Sequence, residues 1–402
     1  MMDNPLQRLQ QLQQRPAMPT ADLGVSLLSK NSDPENIVLD KPRATIRTHC
    51  SDFKVEELPL YEPAGHGGHV FIRVRKQGWT TPACIGRIAK HLGIFRDGFG
   101  HAGMKDRHAI TDQTLSFPWP EKSEIPSFDC LSSEGIEVLD VRRNPQKLRV
   151  GHLLGNRFEL VLRDVVGDVE LIERGLERAR DIGVPNAFGR QRFGRGDSNP
   201  DRALAWLRGT ERGPRDRRVR SLMGSSLQSW LFDRLLEYRV SNGTWDTVVV
   251  GDLVKTLDRG GLFVSEDAER DSGRALAGEV TATGPIFGPR MRWPEGDPMK
   301  WEMDVLEAAV GGENPLEMFA KVGAGSRRAL RLLPRSMGFG FVFGEGSGKT
   351  LEISMELSKG AYATTVLGSV FALCDAGVSV VGDGGGDCAK EDELVDGMCS
   401  DD

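Results

Sequence analysis

Hydrophobic positions recur along the chain with two different periods, which predicts a mixture of strands and helices. Alternate residues from Val70 to Val74 are aliphatic, as in a strand with one buried face. The apolar positions from Ile85 to Leu92 then follow helical spacing. Thr80 or Thr81 can cap this helix, and Gly93 can end it. We therefore expect a strand followed by an amphipathic helix.

The same patterns predict further elements of both kinds. Strands are expected at Phe158–Arg163, Gly338–Phe343 and Leu351–Leu357, and helices at 169–179, 203–207, 227–240 and from Ala361 through Leu373. Asp168 can cap the first of these helices. From Gly183 to about Leu330 the helical stretches are mixed with Gly-Pro connections. The combination indicates an α+β fold.

Composition narrows the class of protein. The chain has 402 residues, enough for two domains, and ordinary apolar and charged fractions. It contains no apolar run long enough to span a bilayer, and its Gln-rich N-terminus lacks the core of a secretory signal. Its six cysteines are scattered without a Cys-x-x-Cys pair, which argues against disulfides and zinc. We expect a cytoplasmic protein.

Charge is distributed unevenly along the chain. The net charge is −6, but nine acidic residues and one lysine lie between Asp375 and Asp402, so the remainder carries about +2. The glycine-rich run 382–386 cannot form a packed element, and 375–402 is interpreted as an acidic disordered tail. Residues 1–35 are interpreted as a flexible N-terminal arm.

One short segment has the composition of a reactive site. Asp106 lies between Lys105 and Arg107, just after the glycine-bearing run 99–103. Neighbouring cations favour the ionised form of a carboxyl group, and glycines let another molecule approach the backbone closely. The segment is therefore interpreted as presenting a carboxylate to a phosphate-bearing substrate. A surface turn with ordinary charges has the same composition.

Four motifs follow one another in a fixed order. They are Asp52-Phe53-Lys54-Val55-Glu56-Glu57, Gly103-Met104-Lys105-Asp106 with Ala109 and Thr111, Gly155-Asn156-Arg157-Phe158, and Val184-Pro185-Asn186-Ala187-Phe188-Gly189-Arg190-Gln191-Arg192-Phe193-Gly194. Each is weak alone, but their order and spacing together are specific. Over about 43–370 the chain resembles the TruD family of tRNA pseudouridine synthases.

The resemblance implies a domain organisation that composition would not reveal. It predicts a pseudouridine-synthase-type catalytic domain with a mixed, largely antiparallel sheet and helices. This domain would be discontinuous, built from 36–182 and 331–374. A family-specific inserted α/β domain would occupy 183–330, ahead of the tail at 375–402.

The resemblance also implies an activity, the isomerisation of a uridine in tRNA, at position 13 in the D-arm, to pseudouridine. Asp106 falls on the catalytic aspartate of the family. Arg47 and Lys105 are expected to support this acid, although Arg47 could equally be a solvated surface cation. The reaction needs no metal and no other cofactor. Whether the aspartate adds covalently or abstracts a proton is left open by the sequence.

Three further positions are expected to hold the target nucleotide. Phe53, Asn156 and Tyr362 fall on family positions that contact it. An aromatic face supports a base taken out of its stack, and an amide can hydrogen-bond a uracil edge. Tyr362 stands where the family usually has phenylalanine, and Ala187 replaces a common aromatic. A core Phe and a turn Asn are the structural alternatives for Phe53 and Asn156.

Two arginine groups lie in the expected inserted domain, and both suit contact with an RNA backbone. The first contains Arg190, Arg192 and Arg195, among Phe188 and Phe193. The second is the run 212–220, which includes Arg217 and Arg218. A solvated charge run is the alternative reading of the second group.

Other functions fit less well. The segment 344–350 resembles a phosphate-binding loop, but its first glycine comes one residue too late, and strands are predicted on both sides. His66 and His69 lack a second pair of metal ligands. The alternative from another class is a non-catalytic RNA-binding or RNA-folding protein. We expect a monomer that binds tRNA and no nucleotide cofactor.

Overall fold

The structure, a computed structural model, describes residues 41–194, 198–258, 260–311, 315–342 and 349–379. The predicted N-terminal arm, the loop at 344–348 and the tail beyond 379 lie outside these residues. The described chain divides into two units. The sheet unit comprises 41–180 and 334–379, and the inserted unit comprises 181–333.

The described chain contains both strands and α-helices. The strands are β1 (Arg43–Ile46), β2 (Phe53–Pro59), β3 (His69–Gln77), β4 (Gly100–His101), β5 (Ile110–Pro118), β6 (Ile136–Asn144), β7 (Leu153–Val166), β8 (Val184–Pro185), β9 (Leu253–Thr256), β10 (Leu262–Val264), β11 (Val280–Ile286), β12 (Ser326–Ala329), β13 (Arg331–Leu332), β14 (Arg335–Val342), β15 (Thr350–Ser358) and β16 (Ala372–Asp375). The described α-helices are α1 (Thr81–Leu92), α2 (Val169–Asp181), α3 (Asn199–Arg208), α4 (Arg217–Ser241), α5 (Ala268–Leu276), α6 (Gly296–Val310), α7 (Pro315–Met318), α8 (Ala363–Val370) and α9 (Ala376–Ser379).

A ten-stranded mixed sheet forms the sheet unit. Seven strands lie in the order β14-β15-β7-β2-β5-β3-β6, while β1 pairs with β7 and β16, and β4 pairs with β5. Only the β2–β5 and β1–β16 pairings are parallel among these described strands. The α+β class, with a mixed and largely antiparallel sheet, is confirmed.

Local sequence signals set the ends of α1. The Thr80 hydroxyl accepts a hydrogen bond from the Ala83 N–H at 3.3 Å, and Gly93 adopts the left-handed conformation with φ 67°. The apolar face of α1 packs on β3 and β5 in one hydrophobic cluster. The predicted cap, end and inward face are confirmed. On β3, Phe71 is buried as well, so the strand is covered on both faces there.

The C-terminal end of the sheet unit departs from the sequence prediction. Helix α8 ends at Val370, and β16 then pairs in parallel with β1, so the predicted helix through Leu373 is wrong. The Ala372 N–H donates to the Pro42 carbonyl at 2.8 Å. Asp375 belongs to β16, and the assignment of a disordered tail from that residue onward is therefore wrong at its start. A pairing between residues more than 300 positions apart leaves no local pattern.

The hairpin near the C-terminus follows the prediction. Strands β14 and β15 are antiparallel neighbours, with Val342 opposite Thr350. A phosphate-binding loop instead leads from a strand into a helix. The chain on both sides of 343–348 therefore has the wrong geometry for that motif.

The inserted unit is built around the long helix α4. A four-stranded sheet in the order β10-β9-β11-β12 and a small β8–β13 ladder complete its strands. Leu227, Leu231 and Leu235 of α4 are buried in a cluster that also contains Phe287 and Phe319. None of the helices in the described ranges has the length and apolar character needed to cross a membrane.

Candidate active site

The parallel pairing of β2 and β5 brings the candidate residues to one end of the sheet. Lys54 lies opposite Ile110, so the N-terminal ends of the two strands are side by side. Phe53 opens β2, and the loop that carries Asp106 leads directly into β5. A parallel ladder thus connects two motifs that lie about fifty residues apart in the sequence.

Asp106 is accessible and paired with a cation. Its carboxylate Oδ2 accepts a hydrogen bond from Arg47 Nη2 at 2.7 Å, with side-chain exposures of 52% for Asp106 and 14% for Arg47. A charge-assisted hydrogen bond of this length is strong and fixes the orientation of the carboxylate. The expected pairing of Arg47 with Asp106 is present in the structure.

Arg47 is held in an unusual backbone conformation. Its φ of 58° lies in the left-handed region, which is uncommon for a residue other than glycine. Such conformations are found disproportionately at functional sites, and they persist only where the surrounding contacts maintain them. In Arg47 the guanidinium group is held in contact with its neighbours, and its Cζ lies 4.2 Å from the centroid of the Phe53 ring.

The Arg47 guanidinium is shared between two carboxylates. Its Nη1 donates to Oδ2 of Asp375 at 2.6 Å while Nη2 donates to Asp106. Its Nε is buried and has no hydrogen-bond partner among the described residues. Sequence reasoning missed Asp375, because it was assigned to the tail.

Lys105 is placed differently from its neighbour. Its ammonium is buried and donates to Glu57 Oε2 at 3.0 Å, and Glu57 Oε1 accepts from the Thr114 N–H at 3.2 Å. The Lys105 N–H donates to the Thr81 hydroxyl at 2.9 Å. Lys105 therefore anchors the loop to the sheet and to α1, and its ammonium contacts Glu57 rather than the Asp106 carboxylate.

A buried lysine fixes the backbone of the same loop. The Lys76 side chain is 1% exposed, and its Nζ donates to the carbonyls of Trp79, Lys105 and Asp106, the last at 3.0 Å. Sequence reasoning missed this residue as well. A signal was present, since Lys76 continues the inward positions of Val70, Ile72 and Val74 on β3.

Phe53 lies beneath Arg47 and not at the surface. It is 3% exposed, one ring face is covered by the guanidinium, and its edge meets Phe158 with a centroid separation of 6.2 Å. In this arrangement the ring supports Arg47. A base could stack on Phe53 only after Arg47 had moved.

Asn156 lies on the same sheet face as Phe53. It is directly opposite Glu57, four residues beyond Phe53 along β2, which corresponds to roughly 13 Å. Its Oδ1 is buried without a hydrogen-bond partner among the described residues. An unused acceptor is suited to a donor such as the N3–H of uracil. Tyr362, at the N-terminus of α8, is 47% exposed.

The arginines of the inserted unit differ in accessibility. Arg192 packs inside that unit, where its Nε donates to the Ser229 hydroxyl at 3.3 Å and its guanidinium lies 5.7 Å from the Phe188 ring centroid. Only the backbone of Arg190 is described, and Arg195 lies outside the described residues. Arg217 and Arg218, in the first turn of α4, are exposed and form no ion pair with another described residue.

Comparisons with known proteins agree with the sequence motifs. The family model described as tRNA pseudouridine synthase D (TruD) matches residues 39–200 and 215–370. The tRNA pseudouridine synthase D of Anaeromyxobacter sp. (strain Fw109-5) is 38% identical over 337 residues, covering 80% of this chain and 91% of that protein. The protein of the same name from Hydrogenovibrio crunogenus is 34% identical over 329 residues, covering 82% and 92%.

A solved structure supports the fold. The crystal structure of a Methanosarcina mazei protein, assigned as a tRNA pseudouridine synthase D, superposes with a TM-score of 0.62. The superposition covers 82% of this chain and 93% of the Methanosarcina mazei chain, at 20% sequence identity. At this identity the similarity concerns the fold alone.

Proposed function

Because this chain belongs to the TruD family of tRNA pseudouridine synthases, we propose that Asp106 is its catalytic residue. The enzyme is an isomerase that converts uridine in tRNA to pseudouridine. The reaction breaks the bond between N1 of the base and C1′ of the ribose and forms a bond between C5 and C1′. C5 loses a proton and N1 gains one, so substrate and product have the same composition.

The observation that carries the proposal is the half-exposed Asp106 carboxylate, 2.7 Å from Arg47 Nη2. A catalytic carboxylate must be ionised and must still be reachable by the ribose and base. The hydrogen bond from the guanidinium holds the carboxylate in place, and the exposure leaves one side of it open. The hydrogen bonds from Lys76 to the Asp106 carbonyl and from Lys105 to Glu57 supply the rigidity that positioning requires.

The target nucleotide is proposed to bind beside this carboxylate. Asn156 would accept a hydrogen bond from uracil, which its unpartnered Oδ1 favours. The exposed Tyr362 would provide a ring for stacking. Phe53 would act through Arg47, because its own ring face is covered. Lys105 would support Asp106 by fixing the loop, since its ammonium is occupied by Glu57.

The remaining tRNA contacts are proposed to be electrostatic. The exposed Arg217 and Arg218 suit phosphate contacts, which position the tRNA without reading its sequence. Arg190, Arg192 and Arg195 belong to the same proposal through their motif. The proposed target is uridine 13 in the D-arm, and the proposed setting is a cytoplasmic monomer without a cofactor.

The test is the Asp106→Asn variant under single-turnover conditions with an unmodified tRNA. The amide keeps the size of the side chain but removes the ionised oxygen, so we expect pseudouridine formation to fall at least about 1000-fold, with tRNA affinity within about 2-fold of the parent. Asp129→Asn, an exposed aspartate elsewhere on the sheet unit, is the matched control and should keep full activity. Substantial activity in Asp106→Asn would refute the assignment.

A further inference from the structure

Asp375 contacts the site through the same arginine that pairs with Asp106. The two carboxylates accept hydrogen bonds from different nitrogens of Arg47, at 2.6 Å for Asp375 and 2.7 Å for Asp106. Their side chains differ in exposure, at 18% for Asp375 and 52% for Asp106. Asp375 is thus the shielded partner of Arg47, and Asp106 is the accessible one.

The position of Asp375 is set by the backbone. In the parallel β1–β16 ladder, Asp375 lies opposite Ile46, the residue before Arg47. Its Oδ1 accepts the N–H of Gly377 at 3.1 Å, which leaves Oδ2 for Arg47. Each carboxylate oxygen of Asp375 therefore has a defined partner.

The turn after β16 fits closely against the site. A Cβ added at Gly377 would lie 3.2 Å from Cβ of His108 and 3.3 Å from Cδ of Arg47. This separation is tighter than ordinary van der Waals contact. The start of α9, directly after β16, consequently packs on both the Arg47 side chain and the loop that carries Asp106.

From this geometry we propose that Asp375 is a positioning residue for pseudouridine formation and that it acts through Arg47. With one end of the guanidinium fixed by Asp375 and its face supported by Phe53, Nη2 is directed at Asp106. The short strand β16 is then part of the active site. This inference rests on the proposed catalytic role of Asp106.

Loss of Asp375 frees Arg47 to adopt other positions. In Asp375→Asn, the Oδ1 of the new amide can still accept the Gly377 N–H. Its NH₂ group then faces Arg47 Nη1, so two hydrogen-bond donors face each other. Arg47 then loses a charge-assisted partner and its fixed orientation. Because the Asp375 side chain is largely shielded and pairs with Arg47, kcat should change while the KM for tRNA should not.

The experiment is a double-mutant cycle on kcat with Asp375→Asn, Arg47→Met and the double variant. We expect Asp375→Asn alone to lower kcat by about 10-fold or more, and to lower it by less than about 2-fold in the Arg47→Met background. Glu134→Gln is the control, because it removes the carboxylate partner of another arginine, Arg87, on the same unit. It should leave kcat unchanged.

Folding and function are separated by two further measurements. Thermal unfolding and tRNA affinity are followed for every variant, and Asp375→Glu, which keeps the charge, should recover most of the kcat lost in Asp375→Asn. Multiplicative losses in the double variant, or full kcat in Asp375→Asn, would overturn the proposal for Asp375. If Asp106→Asn also kept its activity, the proposed function itself would fail, so the two failures are distinguishable.

Discussion

At the scale of single residues, the site depends on Arg47 more than on any motif. This side chain contacts Asp106, Asp375 and the Phe53 ring, which are far apart in the sequence. The resemblance to a family indicated its pairing with Asp106. The hydrogen bonds from both ends of the guanidinium, and the cover it gives to Phe53, are properties of the folded chain.

The buried carboxyl group of Asp233 should make the stability of the protein depend on pH. Burial raises the pKa of Asp233 in α4 to about 7 from an ordinary 3.8, although its Oδ1 accepts the Phe188 N–H at 2.9 Å. The folded protein therefore keeps a proton that the unfolded chain releases. Stability contributed by this group falls as the pH rises from about 4 to about 7.

Asp233→Asn should remove this dependence, because the amide cannot ionise and can still accept the Phe188 N–H. We expect the variant to be more stable than the parent near pH 8, by up to roughly 4 kcal/mol, and equally stable below about pH 4. Denaturant unfolding at several pH values measures the difference. Asp201→Asn, on the surface of α3, is the control. A difference that does not change with pH would contradict the prediction.

Residue types alone identified part of the site. Asp106 stood out because a lone acid lies between cations after a glycine-rich run. Lys76 and Asp375 did not, since their roles come from strand pairing and burial. Phe53 shows what a motif does not predict. The residue lies at the site as expected, but its ring is covered by Arg47 and is not open to a base.

At the scale of elements, the sequence predicted what neighbouring residues determine. The cap and end of α1 and the Asp168 cap of α2 are local signals, and both helices formed as expected. Strand β16 forms by pairing with β1, which lies more than 300 residues earlier in the sequence. The local pattern of residues 371–373 therefore predicted a continuing helix instead of a strand. The same non-local ladder carries Asp375 to Arg47.

Lys76 links β3 to the Asp106 loop, because its side chain on β3 donates hydrogen bonds to the backbone of that loop. In Lys76→Met the carbonyls of Trp79, Lys105 and Asp106 lose a buried donor. We expect a loss of roughly 2–4 kcal/mol in unfolding free energy. We also expect faster amide hydrogen exchange in the Asp106 loop.

The matched control for this prediction is Lys54→Met. Lys54 is an exposed lysine on β2 whose contact with Glu159 is 3.4 Å long. Exposed pairs of this kind contribute at most about 1 kcal/mol. Equal effects of the two substitutions on stability and on exchange in the loop would contradict the role given to Lys76.

At the scale of the whole molecule, charge is divided between segments. The net charge of −6 hides a body of about +2, because most of the imbalance comes from the residues after 374. Among described residues of the inserted unit, Arg212, Arg215, Arg217, Arg218 and Arg220 are all exposed. An acidic protein can therefore still present a cationic surface to tRNA.

The double variant Arg217→Ala/Arg218→Ala tests this surface. We expect weaker tRNA binding and a salt dependence of affinity that is shallower by about 1.5–2 in log–log slope, because two phosphate contacts are lost. The rate at saturating tRNA should be unchanged. Arg174→Ala/Arg178→Ala removes the same charge from the exposed side of α2 and is the control. An equal effect of the two double variants would mean that net charge, and not position, determines binding.

The proposed role of the Asp106 carboxylate is to convert one uridine of tRNA to pseudouridine. The most direct measurement is a map of pseudouridine at every position of unmodified tRNA after incubation with the parent enzyme and with Asp106→Asn. We expect a single new pseudouridine, at position 13 of the D-arm, with the parent and none with the variant. Pseudouridine formed by Asp106→Asn at that position would contradict it.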